Sequence, residues 1–421
     1  MSARSAAGFP HLRLREAGSP LLDLPWELPL ADWTGDELHF KEMPVGPSRH
    51  LVRFLVTDGT KHALKELPLS AGRREFGVLR HLETLGLPSV RAVGLAEAPE
   101  RDTAILITEY LAHSLQYRRL MMRLPAGRGP YRGRLLDAMA WLLVDIHRGG
   151  VFWGDCSLAN TLFRRDGDRI QAFLVDAETS EVHAALSDGQ RGYDLEILVE
   201  NVAFGLADLA AFQGREDDLD EAIPAAESVR TRYEALWDEL RQEPALRPGD
   251  RQAVRARVRK LNDLGFAVDE ISLEPTAGGG EMRLKMAVSN RRRFHARELQ
   301  RLTGLSALEG QARMLLNDLR EYRVWLEYFD RRAVSEREGA ERWMAGVLEP
   351  TLRRLQPAIG PGRDPLQAYC DVLEHKWILS ESAERDVGLD AAIEAYIAFG
   401  APAPEDSTVI NEGLADLPIS P

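Results

Sequence analysis

Short runs in which apolar and polar residues alternate fill the first quarter of the chain. The stretches "HLVRFLVTD" and "KHALKEL" flank a tight reversal at Asp58-Gly59, which predicts a β-hairpin. A second antiparallel pair is predicted by "SVRAVGLAE" and "TAILITEYL". Between the pairs, "REFGVLRHLETLG" has apolar residues at helical spacing and ends at Gly86, so a helix is expected there. The pattern predicts an α+β lobe.

Helical periodicity replaces strand patterning in the rest of the chain. The stretch "YRGRLLDAMAWLLVDIHRGG" predicts a buried helix that stops at Gly149-Gly150. The stretch "DLEILVENVAFGLADLAAF" is apolar nearly all round, which predicts a helix in the centre of a lobe. After the polar stretch "RQEPALRPGD", a hairpin around "TAGGG" and several amphipathic helices are expected. The predicted domains are a lead-in (1–35), an N-lobe (36–112), a C-lobe (113–245), a mostly helical C-terminal domain (246–400) and a tail (401–421).

The composition is that of a folded protein rather than a membrane or nucleic-acid-binding one. Of 421 residues, 44% are hydrophobic and 28% are charged. No run approaches the roughly 20 apolar residues of a spanning helix, and the two cysteines give no disulfide framework. The net charge of −13 argues against a general affinity for nucleic acid. A cytoplasmic location is therefore expected.

Candidate chemistry is concentrated in the stretch "VFWGDCSLANTLF". It places Asp155 and Asn160 in a loop directly after the buried helix, and "LVDAE" places Asp176 at the end of a strand. Two acids and an amide on adjacent loops are what magnesium-dependent phosphoryl transfer requires. The same chemistry needs a strand lysine held by a helix glutamate, and Lys65 and Glu75 occur in that order. These residues predict a phosphotransferase site.

These motifs resemble the protein-kinase fold of the bacterial atypical branch, the lipopolysaccharide heptose and Kdo kinase-like group. "ALKELP", "RREF", "ITEYL", "WGDCSLAN" and "VDAE" carry the resemblance over residues 35 to about 215. With "RLTGL" and "EHKWILSESAERDVGL" added, nearly the whole chain resembles an actinobacterial family that has a C-terminal domain of unknown function. The resemblance implies a bilobal kinase-like fold, with an antiparallel sheet and one helix in the N-lobe and a mainly helical C-lobe.

The resemblance also implies ATP and Mg²⁺ as cofactors and assigns roles by position. It makes Asp155 the catalytic base, Asn160 and Asp176 the magnesium ligands, Lys65 the phosphate-binding residue, Glu75 its partner, and the backbone from Glu109 to Leu111 the adenine contact.

Three departures from the protein-kinase pattern bear on the substrate. Trp153-Gly154 replaces His-Arg in the catalytic loop, Ala177-Glu178 replaces Phe-Gly after the metal aspartate, and the phosphate loop "VGPSRH" has one glycine. They argue against a protein substrate, so the expected acceptor is a hydroxyl of a small molecule or a glycan. The alternative is a pseudokinase-type nucleotide-binding scaffold that acts through its C-terminal domain.

A basic stretch in the C-terminal part gives a second candidate surface. The arginines from Arg291 to Arg301 suit an anionic partner, although a solvated helix face is the favoured explanation. The following segment has the form of a helix-turn-helix, with Ser306 and Glu309 as a predicted capping box. Gly310 lies within the second of these helices and argues against DNA recognition.

Overall fold

The computed structural model describes the chain in nine segments: residues 11–15, 20–35, 38–42, 49–117, 130–212, 214, 219–276, 280–360 and 362–401. They form two compact units, each made of several stretches of sequence, so the continuous domains expected from the sequence stay predictions. The first unit draws on Met1–Tyr117, Met139–Phe163 and Ala172–Thr231, and the second on Arg118–Ala138, Arg164–Gln171 and Arg232–Pro421.

The first unit contains a six-stranded antiparallel sheet with the order β1-β5-β6-β4-β3-β2. The predicted hairpin is present, and its turn residues Asp58 and Gly59 have φ values of 47° and 76°. Positive φ at both positions suits the twist of a two-residue hairpin turn. The strands are β1 (His11–Leu14), β2 (Phe40–Lys41), β3 (Leu51–Thr57), β4 (Thr60–Pro68), β5 (Ala92–Ala98) and β6 (Thr103–Glu109).

The helix predicted between the two strand pairs is α1, Leu69–Leu85. It ends at Gly86, which has a φ of 66° and donates its N–H back into the last turn. Its buried face carries Leu79 and Leu82 together with one acid, Glu75. The apolar stripe therefore places a carboxylate inside the lobe.

Residues 11–15 and 20–35 include parts of the core, although the sequence predicted a lead-in over residues 1–35. β1 pairs with β5, and 3-10 helices follow at Pro20–Asp23 and Leu30–Asp32. Trp26 and Trp33 are each 1% exposed, and their rings meet edge to face at 5.0 Å. Their apolar surface covers the sheet, which makes this segment a structural element of the first unit.

Two long helices and several short strands lie between residues 114 and 212. The helix α2 (Pro130–Arg148) ends at Gly149-Gly150 as predicted. The helix α3 (Asp188–Phe212) has a buried face, but Phe204 and Phe212 are 70% and 78% exposed, so it is less enclosed than predicted. The strands β7 (Ser114–Gln116), β9 (Thr161–Asp166) and β10 (Arg169–Leu174) form a sheet with the order β10-β9-β7, and β8 (Val151–Phe152) pairs with β11 (Glu181–Val182).

The rest of the chain is mostly helical, as predicted, with one small sheet. Its order is β12-β14-β13, and β13 pairs antiparallel with β14, as the hairpin predicted around "TAGGG" requires. Residues 277–279 of that turn lie outside the described residues. No helix among the described residues is long and apolar enough to cross a membrane. The elements are α4 (Leu219–Arg241), β12 (Ala245–Leu246), α5 (Arg251–Asp263), β13 (Phe266–Pro275), β14 (Met282–Arg292), α6 (Phe294–Thr303), α7 (Glu309–Asp330), α8 (Glu336–Trp343), a π turn (Met344–Leu348), α9 (Glu349–Ile359), α10 (Pro365–Ser382) and α11 (Leu389–Ala398).

The capping box predicted at Ser306 and Glu309 was wrong. The helix α7 begins after Leu308, and the Glu309 carboxylate accepts hydrogen bonds from the backbone N–H groups of His295 and Ala296, at 2.9 and 3.0 Å. Glu309 therefore stabilises the start of α6, where the free N–H groups of the first turn favour a carboxylate.

Part of the basic cluster is neutralised by neighbouring acids. Arg301 donates to Glu298 at 2.6 Å and to Glu336 at 3.0 Å. Both pairs are exposed to solvent, where ion pairs contribute little to stability. The pairing favours the solvated-face interpretation for Arg301, and an anionic partner for the cluster that begins at Arg291 stays a prediction.

Candidate active site

Lys65 joins two acids that are distant in sequence. It lies on β4, opposite Val52 of β3 and Leu106 of β6. Its Nζ donates to Glu75 Oε2 at 3.0 Å and to Asp176 Oδ2 at 2.7 Å. The side chains of Lys65 and Glu75 are only 13% and 1% exposed, so each charge depends on its partners rather than on water. The fold thus brings three predicted site residues together.

Burial and charge act in opposite directions on this cluster. Burial alone would lower the pKa of Lys65, but the adjacent Glu75 and Asp176 outweigh it and raise that pKa above its ordinary value. Burial and the Asp176 carboxylate raise the pKa of Glu75 to about 7, against the opposing effect of Lys65. Lys65 is therefore protonated, and the carboxylates of Glu75 and Asp176 both accept hydrogen bonds from its Nζ.

The acids around Lys65 suit a hard divalent cation. Carboxylate oxygens of Glu75, Asp176 and Glu178 lie within 4.8 Å of one another. Magnesium prefers oxygen ligands and keeps several waters, so one or two carboxylates suffice to hold it. This acidic donor set suits the Mg²⁺ that the resemblance implies, but it shares only Asp176 with the predicted ligands Asn160 and Asp176. The sequence pattern marked Glu178 only as a departure from the kinase pattern, although an acid two residues after the predicted metal ligand Asp176 was itself a signal.

The other two predicted residues share one loop. The Asn160 side-chain amide donates to Asp155 Oδ2 at 3.0 Å and to the Asp155 backbone oxygen at 3.1 Å. The Asn160 backbone oxygen accepts from the N–H of Val175 at 3.1 Å. Because Asp176 follows Val175, this hydrogen bond ties the Asp155–Asn160 loop to the segment that carries the second acid.

The predicted adenine-binding segment follows the end of β6. The N–H groups of Glu109 and Tyr110 donate to the backbone oxygens of Arg91 and Lys61, both at 2.9 Å. Among the described residues, no partner is found for the N–H of Leu111. The segment therefore offers one backbone donor at the position where the resemblance places adenine.

The predicted phosphate loop is only partly described. Residues 43–48, which include its glycine Gly46, lie outside the described residues. At the end of the loop, His50 Nε2 lies 2.8 Å from Glu178 Oε2. This contact links the loop to the acids around Lys65.

Two family matches divide the chain. Residues 50–215 match the Lipopolysaccharide kinase (Kdo/WaaP) family, and residues 235–399 match a Domain of unknown function (DUF4032). The chain carries a Kdo/WaaP kinase domain followed by a DUF4032 domain. The resemblance inferred from the sequence motifs is confirmed, and the assignment to actinobacteria stays a prediction.

Individual relatives match smaller parts of the chain. The chain is 26% identical over 142 residues to the lipopolysaccharide core heptose(I) kinase WaaP of Pseudomonas aeruginosa. This alignment covers 32% of the chain and 53% of that protein. The chain thus spans about half the length of this curated relative. A solved structure, WaaP in complex with acyl carrier protein, aligns with 21% identity and a TM-score of 0.33 over 47% of this chain and 89% of that one.

The loop of the Kdo/WaaP domain that carries Asp155 is supported by Asp194, which sequence reasoning missed. The carboxylate of Asp194, on α3, accepts hydrogen bonds from the backbone N–H groups of Trp153 at 2.7 Å and Gly154 at 2.8 Å. It also lies 3.0 Å from His147 Nε2, and both side chains are fully buried. A buried carboxylate with three partners fixes the backbone that immediately precedes Asp155.

Proposed function

We propose that this protein is an ATP- and Mg²⁺-dependent phosphotransferase. The observation that carries the proposal is the position of Lys65 Nζ between Glu75 and Asp176, at 3.0 and 2.7 Å. The Kdo/WaaP match over residues 50–215 independently supports kinase chemistry. Catalysis of phosphoryl transfer consists mainly of positioning and charge neutralisation, and a buried lysine with paired acids provides both.

Each candidate residue then has one role. Lys65, held by Glu75, binds the phosphates of ATP, and the backbone of Glu109 to Leu111 contacts adenine. Asn160 and Asp176 hold Mg²⁺, which neutralises charge on the phosphates when it is bound. The curated relative is named a heptose kinase, and a hydroxyl of a glycan or a small molecule is the acceptor that we propose here.

Asp155 is the proposed base for the acceptor. Its carboxylate accepts the proton of the acceptor hydroxyl as that oxygen bonds to the γ-phosphorus. The bond between the γ-phosphorus and the bridging oxygen breaks, and ADP leaves with that oxygen. The Asn160 amide, which donates to Asp155 at 3.0 Å, orients the carboxylate toward the acceptor.

Phosphate release from Mg·ATP, with water as a surrogate acceptor, tests this assignment. Asp155→Asn should lower the rate by about 10²–10⁴, the usual contribution of a general base, and should leave Mg·ATP binding unchanged by calorimetry. Asp32→Asn, at an exposed site in the same unit, is the matched control. A wild-type rate in the Asp155 variant would remove the base assignment.

A nucleotide-binding scaffold without transfer is the second candidate. The contacts of Glu178 favour it: the carboxylate lies 3.7 Å from Lys65 Nζ and 2.8 Å from His50 Nε2, close to where phosphates would bind. A scaffold would bind Mg·ATP without releasing phosphate, and its Asp155→Asn variant would behave as wild type in both assays.

A further inference from the structure

The hairpin formed by β9 and β10 connects the two proposed metal ligands. β9 begins at Thr161, directly after Asn160, and β10 ends at Leu174, two residues before Asp176. At its base, the Val175 N–H donates to the Asn160 oxygen at 3.1 Å. A short hairpin is only marginally stable by itself, and its third strand, β7, has three residues. Another element must hold the hairpin if its base is to stay ordered.

The tip of the hairpin belongs to the second compact unit, together with the DUF4032 domain. The side chain of Gln367, on α10, pairs with Gly167 in both directions. The Gly167 N–H donates to Gln367 Oε1 at 2.9 Å, and Gln367 Nε2 donates to the Gly167 oxygen at 3.0 Å. Gln367 is 5% exposed, so these bonds have little competition from water.

Asp166, next to that glycine, caps a helix of the DUF4032 domain. Its Oδ1 accepts from the Gln311 N–H, in the first turn of α7, at 2.8 Å. The approach is close enough that a Cβ on Gly310 would lie 2.2 Å from the Asp166 backbone oxygen. A carboxylate at a helix N-terminus satisfies backbone N–H groups that lack partners within the helix. The contact therefore joins the backbone of the tip to the start of α7.

Ion pairs hold both sides of the tip. Arg313 Nη2 donates to the two carboxylate oxygens of Asp168, both at 2.6 Å. On the other side, Arg165 contacts Asp371 at 2.9 Å and Glu374 at 3.3 Å. Hydrogen bonds, a helix cap and ion pairs thus act on four consecutive residues, 165–168.

We infer that the DUF4032 domain is an intramolecular positioning element for the metal site. By fixing the tip of the β9–β10 hairpin, it keeps Asn160 and Asp176 at the separation that a shared cation requires. Gln367, Asp166 and Gln311 are positioning residues in this account, and none is catalytic. The inference rests on the proposed function for its consequence in nucleotide binding, but the mechanical link itself can be measured without any ligand.

Hydrogen exchange of the full-length protein without ligand tests the link. In Gln367→Ala, the Val175 amide at the hairpin base should exchange about tenfold faster, as expected for the loss of two buried hydrogen bonds. Gln356→Ala, at an exposed position on α9, is the matched control and should exchange as wild type. Faster exchange restricted to the tip, with a wild-type rate at Val175, would overturn the inference.

A magnesium titration at fixed ATP tests the consequence. Gln367→Ala should need about tenfold more Mg²⁺ for half-saturation, which is comparable to the effect of losing a residue that hydrogen-bonds to a metal ligand. Its affinity for ATP without metal should be unchanged, which separates positioning from general damage. Unchanged magnesium dependence together with wild-type exchange would overturn the inference.

Two further outcomes separate the inference from the proposed function. If Gln367→Ala does not fold, Arg313→Gln replaces it, because the Asp168 side chain that Arg313 binds is 37% exposed and the pair is peripheral. If wild-type protein binds no nucleotide, the proposed function fails, and the exchange rate of Val175 alone decides whether the DUF4032 domain controls the hairpin base.

Discussion

Replacement of Asp194 by asparagine is the sharpest test of how the loop that carries Asp155 is held. The carboxylate accepts from the backbone N–H groups of Trp153 and Gly154 and lies 3.0 Å from His147. Asparagine has nearly the same volume, so the substitution changes charge and hydrogen bonding without leaving a cavity. It keeps one oxygen acceptor and places an amide NH₂ where the second acceptor was.

The expected cost follows from these contacts. Hydrogen bonds to charged groups contribute about 1.5–3 kcal/mol, and a buried donor without a partner costs about 1–3 kcal/mol. Because one of two acceptor oxygens is lost, we expect Asp194→Asn to lower the free energy of unfolding by about 2–4 kcal/mol. That is a large share of the roughly 5–15 kcal/mol that stabilises a typical protein.

Urea unfolding followed by tryptophan fluorescence measures this change. Glu196→Gln, at an exposed position on the same helix, is the control and should stay within about 0.5 kcal/mol of wild type. The phosphate-release rate of folded Asp194→Asn should also fall, because the backbone before Asp155 loses its anchor. A change in unfolding free energy as small as that of the control would refute this account of the loop.

Three other perturbations have expected outcomes. Lys65→Met should weaken Mg·ATP binding at least tenfold, measured by calorimetry, because it leaves nearby carboxylates without their shared cation. Burial lowers the pKa of His147, so the folded protein holds it neutral while the unfolded chain takes up a proton below about pH 6.5. Its stabilising effect is thus lost as pH falls, and the stability difference between wild type and His147→Gln should shrink from pH 7.5 to pH 5.5 in urea titrations. Trp343→Phe removes the indole donor to Asp318, at 2.7 Å, and should cost about 1–3 kcal/mol of unfolding free energy.

The N-lobe and most candidate residues were predicted from patterns of a few neighbouring residues in the sequence. The hairpin at Asp58-Gly59 and the helix before Gly86 depend on turn chemistry and on apolar spacing, which act over a few residues. Lys65 and Glu75 were identified because both lie on such strongly patterned elements. The order of the motifs predicted the pairing of Lys65 with Glu75, whereas the contact of Lys65 with Asp176, 111 residues away, depends on the fold as a whole.

Features that depend on contacts between residues far apart in the chain were not predicted, because the sequence around each residue shows no pattern that indicates them. Trp26 and Trp33 are buried, yet the leucines around them follow neither strand nor helix spacing, so the segment resembled a lead-in. Asp194 is one acid in an apolar helix, and only its burial gives it a role. No local pattern marks the hairpin tip at Gly167 as a contact site, because its partner Gln367 is 200 residues away.

The melting temperature with ATP, measured with and without Mg²⁺, tests whether the protein has a nucleotide site that depends on Asp176. A ligand that binds only the folded protein stabilises it by about 2.7 kcal/mol at 100 times its dissociation constant. We expect a magnesium-dependent rise in melting temperature for wild type that is absent in Asp176→Asn. Equal melting temperatures with and without Mg·ATP in the wild-type protein would contradict it.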